Sequence, residues 1–202
     1  WLTEDEYLKI RTKEFIEMSR ILNEKGVICY NISYWKDNPI LPILLMTNIH
    51  NNTDLTVADI ICWKKDNAIP FQTSSTKLSR ITELVYIIVK KEYLHSFITN
   101  KKISKINKKT GQKFYKNYVN YIEAKNNDWF ESTNKATYSV DLVKKLIDIY
   151  FPIWSIIYDP FIWIGTTALW CIEKSLSYIW TEIYSEYVDI ANKRIQRRLS
   201  EK

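Results

Sequence analysis

Glycine is nearly missing from this chain. Gly26, Gly111 and Gly165 are the only three in 202 residues, where ordinary usage of about 7% would give roughly fourteen. Turns and close backbone approaches that glycine usually serves must be made by other residues. Cysteine is sparse and odd in number: Cys29, Cys62 and Cys171 lie far apart, each in an apolar run. That spacing excludes a disulfide framework and a metal-ligand motif, so no metal is expected. It points to buried free thiols in a reducing compartment, hence an intracellular, cytoplasmic chain. His50 and His95 have no partner pattern. No apolar run reaches the roughly 18 residues of a membrane span, and the acidic, amphipathic start "WLTEDEYLKIRTKEF" is unlike a secretion signal. Neither a membrane nor a leader is expected.

What is present is a globular composition, 46% apolar and 26% charged, with eight tryptophans. Helix and strand patterns alternate. Thr3 with Glu6 forms a capping box for a helix over 3–22, and "NEKG" reads as its stop, with Gly26 as the cap. Strands are expected at 27–33, 58–65 and 81–91, with a short apolar helix at 38–50 between the first two. Further on, helix 140–151, strand 155–161, helix 166–174, strand 177–183 and helix 185–199 follow in order. The alternation predicts an α/β fold with a mainly parallel sheet and helices on both faces.

Residues 92–137 break that rhythm and show no strong period. Segment 101–125 holds Lys101, Lys102, Lys105, Lys108, Lys109, Lys113, Lys116 and Lys125 against Glu123 alone, a net +7 where the whole chain is +6. Phe114, Tyr115, Tyr118 and Tyr121 are interleaved. Lysines neutralise phosphates and aromatics stack on bases, the pattern of a nucleic-acid surface; a solvated loop with its own aromatic cluster has the same composition.

The most specific wording is at the C-terminal end. A strand runs into Asp159-Pro160-Phe161, then Gly165-Thr166-Thr167 opens a helix, and the next strand leads to Glu182. This is a nucleotide-type site at a strand's carboxyl end, where an acidic residue after the second strand can take both ribose hydroxyls. As a bare pattern it also fits an unrelated nucleotide-binding α/β domain.

The stretch "IIYDPFIWIGTTALWCIE…SYIWTEIYSEYVDIANKRI" resembles the S-adenosylmethionine-binding region of DNA amino-methyltransferases, which methylate the exocyclic amino group of adenine or cytosine. Asp159, Pro160, Phe161, Gly165, Thr166, Thr167, Glu182, Ile183, Tyr187, Ala191, Arg194 and Ile195 match that family's wording. The segment 135–151 and the strands "GVICYNIS", "ADIICWKK" and "ITELVYIIVKK" are also similar, so the resemblance covers nearly the whole chain apart from 92–134. It implies a Rossmann-like methyltransferase fold in the permuted order of the beta group. Residues 1–91 would be the catalytic half, 92–134 the basic target-recognition insert, and 135–202 the cofactor half. The implied partner is double-stranded DNA, met through Lys101, Lys102, Lys105, Lys108, Lys109, Lys113 and Lys116. The implied cofactor is S-adenosylmethionine. Asp159 and Phe161 would flank it, with Phe161 against the adenine; Gly165, Thr166 and Thr167 would approach the methionine, Glu182 would hold the ribose, and Lys135, Ala136 and Thr137 would complete the methionine pocket.

Two departures stand out. The family's catalytic Asp/Ser/Asn-Pro-Pro-aromatic element is absent: the five prolines (Pro39, Pro42, Pro70, Pro152, Pro160) are all isolated. In the beta order that element would precede residue 1, so no catalytic residue is assigned. Trp163, Trp180, Trp170 and Trp35 stand where the family has glycine or another small residue. Trp163 is expected either to fill the methionine site or to swing out and break the loop. The resemblance thus implies a DNA methyltransferase, with a catalytically inactive methyltransferase-fold DNA-binding or structural protein as the alternative.

Overall fold

The computed structural model describes residues 2–33, 38–68, 75–128 and 138–202. The chain divides into two units. The first gathers the chain up to Lys64 with Thr82–Ile98 and Tyr118–Tyr121; the second gathers Lys65–Ile81, Thr99–Asn117 and Ile122–Lys202.

The first unit opens with helix α1, Glu4–Ile21. Its capping box forms as the spacing requires: the Glu6 amide donates to Thr3 Oγ1 at 3.3 Å and the Thr3 amide donates to Glu6 Oε2 at 2.8 Å. Glu4, Asp5 and Glu6 place negative charge on the first turn, where the helix dipole favours it. Gly26 does not cap this helix. Leu22 does, and Gly26 closes a separate turn by donating to the Asn23 carbonyl. Strand β1 (Ile28–Ile32), helix α2 (Leu41–Asn52), strand β2 (Leu55–Lys65) and strand β3 (Thr82–Lys90) follow.

β3 lies between β1 and β2 and is antiparallel to both, with Tyr86 opposite Tyr30 on one side and Ile60 on the other. Its run Val85–Val89 is buried throughout, which is why it reads as a continuous apolar stretch without alternation. Phe15, Leu45, Ile49 and Leu55 pack against Ile32, Tyr86 and Ile88 to make the core of this unit.

The expectation of a mainly parallel sheet is corrected here. Among the described pairs, parallel pairing is confined to the second unit. A helix connects β1 to β2, and these two run the same way with β3 between them. No helix pattern separates β2 from β3, and without a crossover the chain returns antiparallel. The Rossmann-like α/β class itself stands.

In the second unit, strands β4 (Ile103–Ile106) and β5 (Lys113–Tyr115) form an antiparallel hairpin inside the stretch where the sequence shows no period. Strand β6 (Tyr121–Ala124) follows, at the passage from one unit to the other. Helix α3 (Val140–Tyr150), capped by Ser139 Oγ, leads to strand β7 (Ile156–Asp159), helix α4 (Thr166–Lys174), strand β8 (Ser177–Trp180) and helix α5 (Ser185–Ser200). β7 and β8 are parallel, with Asp159 beside Trp180. β8 ends two residues before Glu182, so that carboxylate sits in the following loop rather than on the strand. Val143, Ile147, Ile157, Trp170 and Cys171 form one core cluster here, and Ile162, Ala168, Ile172, Ala191 and Ile195 another.

Candidate functional site

The carboxyl ends of β7 and β8 face one loop, residues 159–166, and its shape is set by hydrogen bonds to both strand ends. The Thr181 amide donates to the Asp159 carbonyl at 3.1 Å, and the Ile162 amide donates to the Thr181 carbonyl at 3.2 Å. Asp159 Oδ1 accepts the Phe161 amide at 3.0 Å, which turns the chain at Pro160. Its other oxygen, Oδ2, accepts from Thr167 Oγ1 at 2.6 Å and from the Tyr138 hydroxyl at 2.9 Å. The Thr167 and Tyr138 hydroxyls lie 3.0 Å apart, so the three side chains close a triangle. Burial first, and the Asp159 charge next, push the Tyr138 phenol well above its ordinary range. Tyr138 therefore acts as a fixed neutral donor.

The loop then makes two left-handed turns. Gly165 sits at φ +90° as the cap of α4, and a Cβ there would stand 3.3 Å from the Cα of Ala191 on α5. Trp163 sits at φ +50°. A tryptophan thus holds a conformation that glycine adopts freely and other residues reach only at a cost of about 1–2 kcal/mol. The loop is not broken by it: the Gly165 amide donates to the Ile162 carbonyl at 2.9 Å, and the indole stacks on Tyr187, centroids 5.8 Å apart and planes 10° from parallel. Arg194 Nη1 donates to the Ile164 carbonyl at 2.8 Å from the same helix, α5. Burial lowers the Arg194 pKa from its usual value.

Glu182 binds the loop from the β8 side. Oε2 accepts the Trp163 amide at 3.1 Å, and Oε1 accepts the amides of Ile183 and Tyr184 at 2.8 and 3.0 Å. A carboxylate offers about four acceptor positions, and these bonds use three, leaving one on Oε2.

Of the residues the sequence singles out, Asp159, Phe161, Gly165, Thr166, Thr167 and Glu182 are brought to this one loop. Phe161 is exposed beside Asp159, whereas Thr166 is buried at the helix start. Lys135, Ala136 and Thr137 lie outside the described residues. Lys105 and Lys113 lie on the β4–β5 hairpin, Lys108 and Lys109 in its turn, and Lys101, Lys102 and Lys116 beside it; all seven are exposed. Sequence reasoning matched Tyr187, Ala191 and Arg194 as motif letters without giving them roles. Their spacing places all three on one face of α5, where they stack on, pack against and hold the loop. Tyr138 carries no sequence signal for its part; it is one more tyrosine before a helix.

The chain as a whole resembles known proteins over most of its length. The DNA methylase family matches residues 1–193. The orphan methyltransferase M.BamHII of Bacillus amyloliquefaciens is 42% identical over 57 residues, 26% of this chain; the matched stretch spans only 22% of that relative's length. Among solved structures, the PvuII cytosine-N4-specific DNA methyltransferase superposes with a TM-score of 0.74 at 15% identity, covering 98% of this chain and 77% of that one. The M1.HpyAVI–SAM complex superposes at 0.64 with 23% identity, covering 91% and 81%. TTHA0409 of Thermus thermophilus, complexed with S-adenosyl-L-methionine, superposes at 0.63 with 13% identity, covering 98% and 82%. With the match running from the first residue into the middle of α5, the chain belongs to the DNA methylase family.

Proposed function

We propose that the β7–α4–β8 unit binds S-adenosylmethionine and that the chain serves methyl transfer to the exocyclic amino group of adenine or cytosine in double-stranded DNA. The observation that carries this reading is the pair of carboxylates, Asp159 and Glu182, at the ends of two adjacent parallel strands, with a loop of two left-handed residues between them. The residues fit the cofactor. Gly165 lets the backbone approach closely, exposed Phe161 offers a ring for an adenine, and Glu182 keeps one acceptor position for a ribose hydroxyl. Asp159, tied to Tyr138 and Thr167, holds the loop and sets a negative potential near the cationic end of the cofactor. Bound there, S-adenosylmethionine supplies a methyl group on a sulfonium, and the protein's part is chiefly positioning.

The seven lysines from Lys101 to Lys116 are the DNA-facing surface in this reading. DNA as substrate and three free thiols accord with an intracellular location. No described helix is long and apolar enough to cross a membrane. No Pro-Pro element occurs in the sequence, so the residue that holds the target amino group is not assigned.

Calorimetric titration with S-adenosylmethionine tests the site. The parent binds, and Glu182→Gln weakens binding about 10- to 100-fold, the worth of one charge-assisted hydrogen bond. Equal affinities for the two would remove Glu182 from the site, and no binding by the parent would overturn the cofactor assignment. Transfer of labelled methyl to duplex DNA then tests the reaction itself, and cofactor binding without transfer would overturn the methyl-transfer reading.

A further inference from the structure

We propose that the β4–β5 hairpin enters the major groove of the duplex, with Ile103, Ile106 and Tyr115 reading thymine methyl groups and the lysines gripping phosphates. This rests on the DNA-methylation reading above and adds which element meets the bases and which side chains select among them.

The hairpin is a short two-stranded ribbon. Its register pairs Ile103 with Tyr115, Lys105 with Phe114 and Ile106 with Lys113, with an extra residue between Ile103 and Lys105. Cross-strand partners share a face, so Ile103, Ile106, Lys113 and Tyr115 lie on one face and Lys105 with Phe114 on the other. The extra residue, Ser104, is fastened by its hydroxyl to the Phe114 carbonyl at 3.1 Å, and this is what brings Ile103 and Ile106 to the same side. All three apolar members of that face are in water: Ile103 is 45%, Ile106 50% and Tyr115 51% exposed. β-Branched and aromatic side chains left open on a two-stranded ribbon are unusual, because such a ribbon is barely stable alone.

The charge names the partner. Residues 101–117 contain seven lysines and no acidic residue. A polyanion is the complement, and the major groove, about 12 Å wide, admits a two-stranded ribbon. The turn is built to be held rigid. Gly111 sits at φ +70°, its amide donates to the Asn107 carbonyl at 2.8 Å, and Asn107 Oδ1 accepts the Lys109 amide at 2.9 Å. Lys108 and Lys109 therefore stand at a fixed tip. The base is anchored too: Asn100 donates its amide to the Ile149 carbonyl and its Nδ2 to the Phe151 carbonyl, both at 2.7 Å, at the end of α3. A ribbon fixed at both ends orders little on binding, so its apolar face can discriminate.

The experiment is fluorescence anisotropy of the full chain with three duplexes of one sequence: unmodified, with every thymine replaced by uracil, and with glucosylated hydroxymethylcytosine filling the major groove. Binding should fall about fourfold for each contacted methyl removed, collapse on the glucosylated duplex, and survive netropsin in the minor groove. Ile103→Ser with Ile106→Ser should shrink the thymine–uracil difference to what Tyr115 alone supports while keeping affinity for the uracil duplex. Lys108→Gln with Lys109→Gln should lower the salt slope by about two. Calorimetry with S-adenosylmethionine on the same samples separates the two claims. Hairpin variants that bind DNA like the parent, while the cofactor still binds, overturn the groove assignment and leave the cofactor site standing. Competition by netropsin, a parent that ignores DNA, or preference for phosphatidylserine vesicles over duplex overturns it as well.

Discussion

Replacing Trp163 by glycine and, separately, by alanine tests the central feature of the cofactor loop. Alanine keeps the left-handed penalty and loses the stack on Tyr187. Glycine loses the same stack but sheds the penalty of about 1–2 kcal/mol, offset in part by about 0.5–1 kcal/mol of extra chain entropy. The stacking term, about 0.5–1.5 kcal/mol, and the buried indole area are common to both and cancel. The glycine variant should therefore be the more stable of the two by about 1 kcal/mol, the reverse of the usual order in regular structure. In a domain of this size that is about 2–4 °C in Tm, within reach of a circular-dichroism melt. Alanine equal to or better than glycine would refute the left-handed assignment at Trp163. The same proteins titrated with S-adenosylmethionine report on the ring itself: the glycine variant should bind more tightly than the parent, whereas unchanged affinity would place the indole clear of the cofactor.

Gly165→Ala adds a Cβ at φ +90° and 3.3 Å from the Ala191 backbone; it should cost about 1–3 kcal/mol in denaturant unfolding and weaken cofactor binding with it. Tyr138→Phe removes the hydroxyl shared with Asp159 and Thr167 and should destabilise by about 1–2 kcal/mol at neutral pH. Because folding raises the Tyr138 pKa, its contribution is whole below the unfolded value near 10 and is lost as pH rises toward the folded one. The parent should accordingly lose stability more steeply than Tyr138→Phe above about pH 10, which pH-dependent unfolding would show. Burial pushes the Cys29 and Cys171 thiols up to about 12; iodoacetamide at neutral pH should leave both unlabelled in the folded protein and label them on unfolding, as peptide mass analysis would reveal.

Much of this molecule is legible in local patterns. The capping box starts α1 where Thr3 and Glu6 say it should, and α4 spans Thr166–Lys174 as its apolar spacing indicates. The paired carboxylates and Gly165 are legible in the run from Asp159-Pro160-Phe161 through Gly165-Thr166-Thr167 to Glu182. Strand direction is not local. β3 carries no mark of being antiparallel except that the sequence after β2 lacks a helix pattern, a weak cue beside strong strand signals. The β4–β5 hairpin is hidden for a different reason: its apolar residues face water, and the extra residue at Ser104 breaks the period of two. Tyr138 and Arg194 act through contacts far along the chain, with Thr167 and the Ile164 carbonyl, which no window of sequence contains.

A backbone that keeps a left-handed turn beneath tryptophan is a backbone shaped for glycine. The consequence lies in the coding triplets. UGG and UGA each differ by one base from a glycine triplet, and UGA is assigned differently by different translation systems. The expected triplet at position 163 is UGA. A host that decodes it as glycine would make, from the same gene, an unstrained loop. The mass of the peptide carrying residue 163, taken from the native host, decides it: a tryptophan mass there makes the strain a property of the living protein, and a glycine mass makes it a property of the decoding.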